Sequence, residues 1–218
     1  EATTTLNDLL RDQFEALGRE YTRRANAGRK RQDQFFISQV SPSLLRRSAG
    51  VSYFNETLTA CALGSAASIE VLARCDRWVG KEHLAPSDAE VQSMSVDSGY
   101  GGAFFQLFQR GDIAVLAGAR HALLQLRQMK GKPEYRVSEP PHGGYPVTLV
   151  TTRASVLYRG GKRKAVASVF HAFLRSPEYS MAMVNDGDAI PPVRRYLDTH
   201  EFLRHAANFD PETVKHTP

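Results

Sequence analysis

The histidines of this chain include one pair whose spacing approaches that of a zinc site. His200 and His205 lie five positions apart in a stretch of helical character. At 3.6 residues per turn, five residues rotate the two rings by roughly 140°, whereas the zinc-protease motif uses a four-residue step of about 40°. The two rings would therefore face different directions, and the pair predicts no metal site.

Two glycine-containing segments approach nucleotide-binding motifs without completing them. The segment that begins at Gly99 has Phe104 where a dinucleotide fingerprint has its third glycine. The segment that ends at Lys162 has Val156 where a phosphate loop has its first glycine, and Arg163 where that loop has the Ser or Thr that binds Mg²⁺. No Gly-x-Ser-x-Gly elbow occurs. We therefore expect no catalytic residues and no cofactor, and we do not expect an enzyme.

Basic residues outnumber acidic ones, 28 against 23 among 218 residues, and many of them are clustered. Such clusters either bind phosphate or lie in solvated loops and helix ends. None has the interleaved aromatic residues of a single-strand nucleic-acid surface, so nucleic acid is not the favoured partner. The clusters are Arg23-Arg24, Arg29-Lys30-Arg31, Arg46-Arg47, Lys162-Arg163-Lys164 and Arg194-Arg195.

The composition is that of an ordinary globular chain, 42% hydrophobic and 23% charged. No run of 18 apolar residues occurs, so no membrane span is predicted. Cys61 and Cys75 both lie in apolar surroundings, which favours two buried free thiols over a disulfide. The cysteines therefore do not decide the compartment.

Helical and extended patterns alternate along the first half of the chain. Apolar residues recur at helical spacing over residues 6–24, and a second helix is predicted to begin after the N-cap Ser65 and to end near Gly80. The short apolar runs 35–37 and 113–116 predict strands, the latter buried on both faces. A glycine-rich turn at residues 98–102 leads into a short helix that ends at Gly111, and residues 119–129 are again helical.

The second half continues the alternation. Residues 147–151 and 155–158 are predicted strands, after an exposed loop at 140–144. Ser176, followed by proline at the first helical position, begins a helix that should stop at residues 185–187. The helix before it carries an apolar stripe that we expect to be the main core contribution of this half: Ala165, Val166, Val169, Phe170, Phe173 and Leu174. Strands mixed with longer helices predict α/β architecture.

From residue 52 to residue 192 the order of these features resembles the second lobe of the family 1 extracellular solute-binding proteins, the mostly sugar-binding receptors of ABC importers. The run 100–116 is similar to the family's glycine and aromatic segment before a small-residue strand. The run 164–179, with Phe-x-x-Phe-Leu and Ser-Pro-Glu, resembles its paired helices, and residues 187–192 match its Gly-x-x-x-Pro ending. The tryptophan that many members carry after the strand is absent, because Gly118 is followed by Ala-Arg-His.

The resemblance implies a periplasmic-binding-protein-like α/β lobe of class II, with a short mixed sheet flanked by helices. It implies a monomer in the periplasm or outside the cell, with a lipid anchor in the complete protein as one option, a carbohydrate ligand and an ABC permease as partner. Since the family is about twice this length, it also implies a fragment or a chain that lacks large parts of a longer protein. Residues 1–50 would be a helical interlobe or partial segment, and residues 51–218 the solute-binding lobe.

In such a lobe, ligands contact the loops at the strand ends. Two lobes closing on a sugar would provide aromatic platforms and hydrogen bonds, so one lobe alone should bind weakly or not at all. The alternative is a basic α/β domain that binds phosphate or nucleic acid. The ligand-binding residues that we expect are Tyr100, Gly101, Gly102, Arg120, His121, Thr152 and Arg153.

Overall fold

The computed structural model describes residues 11–94, 102–119, 121–131, 133–150, 154–186 and 189–207, with only the backbone of residues 204–207. The chain divides into two compact units. The first comprises Glu1–Ala117 and Ser138–Leu149, and the second comprises Gly118–Val137 and Val150–Pro218. The assignment of residues 1–50 to an interlobe segment and of 51–218 to a binding lobe is a functional division, and it stays a prediction.

The first unit is built around a parallel pair of strands. Phe35 pairs with Ile113 and Ile37 with Val115. The described elements of this unit are α1 (Arg11–Ala25), β1 (Phe35–Ile37), α2 (Pro42–Ser48), α3 (Ala66–Asp76), a π-helical turn (Arg77–Lys81), α4 (Asp88–Met94), α5 (Gly102–Arg110) and β2 (Ile113–Val115).

Helices cover both faces of this small sheet. Phe36 packs with Phe14 of α1, their ring centroids 4.8 Å apart, whereas Phe35 packs with Leu107 of α5 on the other face. All three residues of β1 are buried, as an unbroken apolar run predicts. The prediction that the second strand is buried on both faces is wrong, because Ala114 of β2 is exposed while Ile113 is buried.

Close approach between α1 and the sheet requires a glycine. A Cβ atom on Gly18 would lie 2.7 Å from Cδ1 of Phe36, closer than non-bonded carbon atoms come.

The predicted first helix is confirmed from Arg11 onward, and residues 6–10 lie outside the described part of the chain.

A buried carboxylate joins α1 to α3 and the π-helical turn. Glu15 is only 5% exposed, and its Oε1 lies 2.7 Å from Nη1 of Arg74. The same oxygen accepts a hydrogen bond from Nε1 of Trp78 at 2.9 Å, while Oε2 pairs with Arg19 at 2.8 Å. A buried charge is tolerated only when it is paired and hydrogen-bonded, and this one is both.

The predicted helix after Ser65 is confirmed at both ends. The Ser65 hydroxyl accepts a hydrogen bond from the backbone N–H of Ser68 at 3.3 Å, and the helical segment continues through the π-helical turn that contains Gly80. Beyond that turn, the carbonyl of Leu84 accepts hydrogen bonds from the N–H groups of Phe36 and Ile37, both at 2.9 Å. The segment that follows the π-helical turn therefore lies beside β1.

The second unit is helical in its described part. Its elements are α6 (His121–Gln128), α7 (Lys164–Phe173), α8 (Pro177–Asp186), a 3₁₀ turn (Arg194–Tyr196) and α9 (His200–Ala207). The predicted start of α8 is confirmed, because the Ser176 hydroxyl accepts a hydrogen bond from the N–H of Tyr179 at 3.2 Å. The helix ends at Asp186, where the sequence predicts it.

Two predicted strands are wrong in this part of the chain. Residues 147–150 and 154–158 are described and have no regular strand structure, and residue 151 lies outside the described residues. Their apolar side chains are largely exposed, including Val150, Val156 and Tyr158. A strand requires a hydrogen-bonded neighbour, and no described segment pairs with either run.

The expected core role of α7 is also wrong. The helix forms as its periodicity predicts, but its apolar stripe lies on the exposed side, and Phe170 is 60% exposed. Phe170 stacks on Phe173 at 6.4 Å between ring centroids, and Phe173 contacts Tyr179. Periodicity predicts which side chains share a face, whereas burial depends on what packs against that face.

Both cysteines are free, but only one of them is shielded. Cys61 is exposed, so its predicted burial is wrong; it lies in a short antiparallel bridge with Phe54, which is also exposed. Cys75 is half-buried in α3, and burial raises the pKa of its thiol.

Of the described helices, none combines the length and hydropathy that a bilayer span requires.

Candidate functional site

The carboxyl ends of β1 and β2 meet at one edge of the first unit. The N–H of Ser38 donates to the carbonyl of Val115, and its hydroxyl accepts from the N–H of Ala117, both at 2.9 Å. The side chain of Gln39 donates to the carbonyl of Ala117 at 3.1 Å. In α/β sheets, ligands bind outside this edge, and here the loops that leave the two strands are fixed to each other.

The first of those loops leads directly into α2. Ser41 caps this helix, since its hydroxyl accepts a hydrogen bond from the N–H of Leu44 at 3.3 Å, and Pro42 takes the first helical position. The start of α2 therefore lies at the carboxyl edge of the sheet. Its polar side chains include Ser43, Arg46 and Arg47.

Tyr53 lies against α2 and interacts with all three of these residues. Its hydroxyl is 2.8 Å from the hydroxyl of Ser43. The guanidinium carbons of Arg46 and Arg47 lie 4.3 and 5.8 Å from the centre of its ring, which is the distance range of cation–π contacts. The hydrogen bond with Ser43, together with the two nearby cations, lowers the pKa of the Tyr53 phenol.

A second tyrosine lies at the other end of α2. The N–H of Tyr145 donates to the carbonyl of Ser48 at 3.1 Å, and its ring packs on Gly50, where a Cβ atom would come within 2.9 Å of ring carbon Cε2. Gly50 has a φ of +75°, so a side chain there would also strain the backbone. Tyr145 nevertheless remains 62% exposed. The structure thus holds one face of an aromatic ring and leaves the rest to solvent.

The loop that carries Tyr145 is fixed to the start of α1. The N–H of Arg11 donates to the carbonyl of His142 at 2.9 Å. A Cβ atom on Gly143 would lie 2.8 Å from Nη1 of Arg11 and 3.3 Å from the carbonyl oxygen of Ser48. This segment includes the loop that the sequence predicts at residues 140–144. Its contacts with Arg11 and Ser48 hold the backbone next to Tyr145 in place.

Comparisons with known proteins bear on the fold. The chain matches no family model, and no curated protein matches it. Among solved structures it is similar to the ABC substrate-binding protein Lmo0181 from Listeria monocytogenes in complex with cycloalternan, with a TM-score of 0.68 over 97% of this chain. The chain shares the fold of about half of that substrate-binding protein. The sequence identity is 18%, and the chain spans about half, 52%, of the length of the structure that it matches.

The substrate-binding-protein fold confirms the predicted periplasmic-binding-protein-like α/β class, in which a short sheet is flanked by helices. The described sheet is parallel rather than mixed. No cluster of three or more metal-ligating side chains occurs among the described residues.

Most of the site residues predicted from the sequence cannot be placed. Gly102 is the first residue of α5 in the first unit, and His121 is the first residue of α6 in the second, each half-buried. The remaining predicted residues lie outside the described part of the chain: Tyr100, Gly101, Arg120, Thr152 and Arg153. Their convergence on one ligand stays a prediction.

We use the name α2 surface for Ser43, Arg46, Arg47, Tyr53 and Tyr145. It combines two partly exposed aromatic rings with hydroxyl and guanidinium donors, which suits a ligand with both an apolar face and many hydroxyl groups. Sequence reasoning found two of its parts separately, the Arg46-Arg47 cluster and the loop before Tyr145. It missed the tyrosines, because only the fold brings residues 53 and 145 to the same helix.

Proposed function

We propose that this chain is the carbohydrate-binding part of an extracellular solute receptor for an ABC importer. The observation that carries the proposal is the fold, which is that of a substrate-binding protein whose solved structure contains cycloalternan, an oligosaccharide. The proposal places the chain in the periplasm or outside the cell and gives it an ABC permease as partner.

The α2 surface supports a carbohydrate as the solute. Sugar rings stack on aromatic faces through their C–H groups, and their hydroxyl groups accept hydrogen bonds from guanidinium and hydroxyl donors. Tyr145 offers an exposed ring that its backbone contacts hold in position. A ring already held in place loses little conformational entropy when a ligand binds.

The residues expected from the family resemblance are a separate part of the proposal, independent of the α2 surface. Gly102 and His121 each stand at the start of a helix, in the first and second units respectively. With them we propose Tyr100, Gly101, Arg120, Thr152 and Arg153 as ligand contacts. Since one lobe provides only half of a closing cleft, we expect the isolated chain to bind in the range of roughly 0.1–10 mM rather than at micromolar concentrations.

The test is an NMR titration of the 218-residue chain with neutral oligosaccharides, preceded by a thermal-shift screen. Binding to the native state raises thermal stability by mass action. Tyr145→Ala should weaken sugar binding at least tenfold, about 1.4 kcal/mol. Phe170→Ala is the matched control, because Phe170 is an aromatic residue of similar exposure (60% against 62%) outside any proposed site.

Failure of every sugar to bind at about 100 mM, ten times the upper end of the expected dissociation constants, would contradict the receptor function. Equal losses in Tyr145→Ala and Phe170→Ala would contradict the proposed place of binding. Micromolar affinity of the isolated chain would show that the expectation for a single lobe is wrong.

A further inference from the structure

Arg46 is a buried cation whose charge is not balanced by any described carboxylate. The residue is only 8% exposed, and its guanidinium lies over the ring of Tyr53 at 4.3 Å. The ion pairs among the described residues involve other basic residues and reach neither Arg46 nor Arg47. Withdrawing a charge from water is costly unless an opposite charge or hydrogen bonds compensate.

Two other arginines of the same unit, both less buried than Arg46, show how this cost is usually met. Arg74 lies 2.7 Å from an oxygen of Glu15, and Arg77 lies 2.9 Å from an oxygen of Glu82. In contrast, Arg46 is followed by a second cation, Arg47, whose guanidinium is 5.8 Å from the same tyrosine ring. Two neighbouring positive charges and no described negative one create a locally positive potential that attracts an anion.

The remaining polar groups at this position also suit an anion. Tyr53 and Ser43 provide two hydroxyl groups that are 2.8 Å apart, and whichever of them accepts the hydrogen bond between them can donate its own proton outward. Arg47 is exposed, so an incoming group can reach its guanidinium. A planar guanidinium forms paired hydrogen bonds to the oxygens of a carboxylate or phosphate.

We propose that Arg46, Arg47 and Tyr53 form an oxyanion subsite that selects acidic carbohydrates, those with a carboxylate or phosphate group. The proposal rests on the proposed function and names its ligand class. In the bound state the oxyanion would pair with Arg47 and the edge of the Arg46 guanidinium, while the sugar ring extends along α2. A neutral sugar would form only hydrogen bonds with these groups and would leave the two positive charges without a counter-ion.

The test compares ligands that differ only in the acidic group. Calorimetry and NMR titrations at low salt use glucose, glucuronate, glucose 6-phosphate and inorganic phosphate, with the galactose series in parallel. We expect at least one acidic sugar to bind at least tenfold more tightly than its neutral counterpart, with the preference decreasing as salt is added. Preference for the uronate or for the sugar phosphate identifies the natural source of the oxyanion.

Arg47→Gln is the principal variant, because Arg47 is exposed and its replacement should leave folding intact. It should abolish the preference for the acidic sugar, because the acidic sugar loses an ion pair whereas the neutral sugar loses at most a hydrogen bond. Arg46→Gln should have the same effect if it folds. Arg31→Gln is the matched control, since it removes the same charge from an exposed arginine of the first unit whose described contact is the Ser93 hydroxyl.

Equal affinities for acidic and neutral sugars would overturn the subsite and leave the receptor function standing. An undiminished preference in Arg47→Gln, or an equal loss in Arg31→Gln, would do the same. Binding of inorganic phosphate that matches the sugar phosphate would show that the sugar contributes nothing, which overturns the selection of a carbohydrate. If no sugar of either kind binds, the receptor function itself fails.

Discussion

The two units of this chain use the same kind of helix with opposite results. In the first, Phe14 lies on the apolar side of α1 and is 2% exposed because β1 and the π-helical turn pack against it. In the second, Phe170 lies on the apolar side of α7 and is 60% exposed. An apolar stripe therefore predicts a helix and which of its side chains share a face, whereas the stability that this face contributes depends on the elements that cover it.

The largest effect should follow truncation of the buried stripe. Phe14→Ala should lower the free energy of unfolding of the first unit by about 3–5 kcal/mol, the usual cost of a phenylalanine-sized cavity. Urea unfolding followed by tryptophan fluorescence measures this, because Trp78 is the single tryptophan of the chain and is buried beside Phe14. A loss below about 1 kcal/mol would show that α1 is not part of the core.

The second effect concerns the buried charge of the first unit. Glu15→Gln should cost about 2 kcal/mol, because it removes the buried carboxylate that pairs with Arg74 and Arg19 while retaining an acceptor for Trp78. The cost is not larger because Arg74 keeps Asp12 and Arg19 keeps Glu82 as partners. Glu20→Gln on the same helix is the control, and it should change stability by no more than about 0.5 kcal/mol since Glu20 pairs with its arginines at the surface. Equal effects would mean that burial adds nothing to the Glu15 pairs.

The third effect, the loss of a helix cap, should lower stability equally in both units. Ser65→Ala and Ser176→Ala each remove a hydroxyl that accepts one backbone hydrogen bond at a helix start, and each should cost about 1 kcal/mol. Thermal unfolding monitored by circular dichroism measures both. Because a cap acts locally, the difference in core packing should not alter its contribution, and a cost several times larger in one unit would contradict this.

The smallest effect should be that of Phe170→Ala. We expect less than about 1 kcal/mol, because an exposed side chain loses little contact when truncated. Urea unfolding followed by circular dichroism at helical wavelengths is the suitable measurement, since the buried Trp78 reports on the first unit. A cost near that of Phe14→Ala would mean that the stripe of α7 is covered in solution.

Local signals in the sequence predicted local structure well. The caps at Ser65 and Ser176, the strand at 35–37 and the ends of α3 and α8 depend on neighbouring residues, and the structure confirms them. The strands at 147–151 and 155–158 failed because β structure requires a partner that no local pattern specifies.

For the same reason, only part of the candidate site could be predicted from the sequence. The arginines at 46 and 47 are adjacent in sequence and were noted as one of several basic clusters that either bind phosphate or lie in solvated loops and helix ends. Tyr53 and Tyr145 come from distant segments, and only the fold places both on α2. Residues at the strand ends were expected from a family resemblance, and the fold agrees with that family while the contacts of those residues stay predicted.

The most direct measurement is hydrogen–deuterium exchange of the 218-residue chain with and without the tightest-binding sugar of the titration series. We expect slower exchange over residues 42–53 and 141–145, which form and flank the α2 surface, and no change over Lys164–Phe173. We also expect the amides of α1 to be protected far more strongly than those of α7 in both states. Protection by the sugar confined to the second unit, or no protection at saturating sugar, would contradict carbohydrate binding on the first unit.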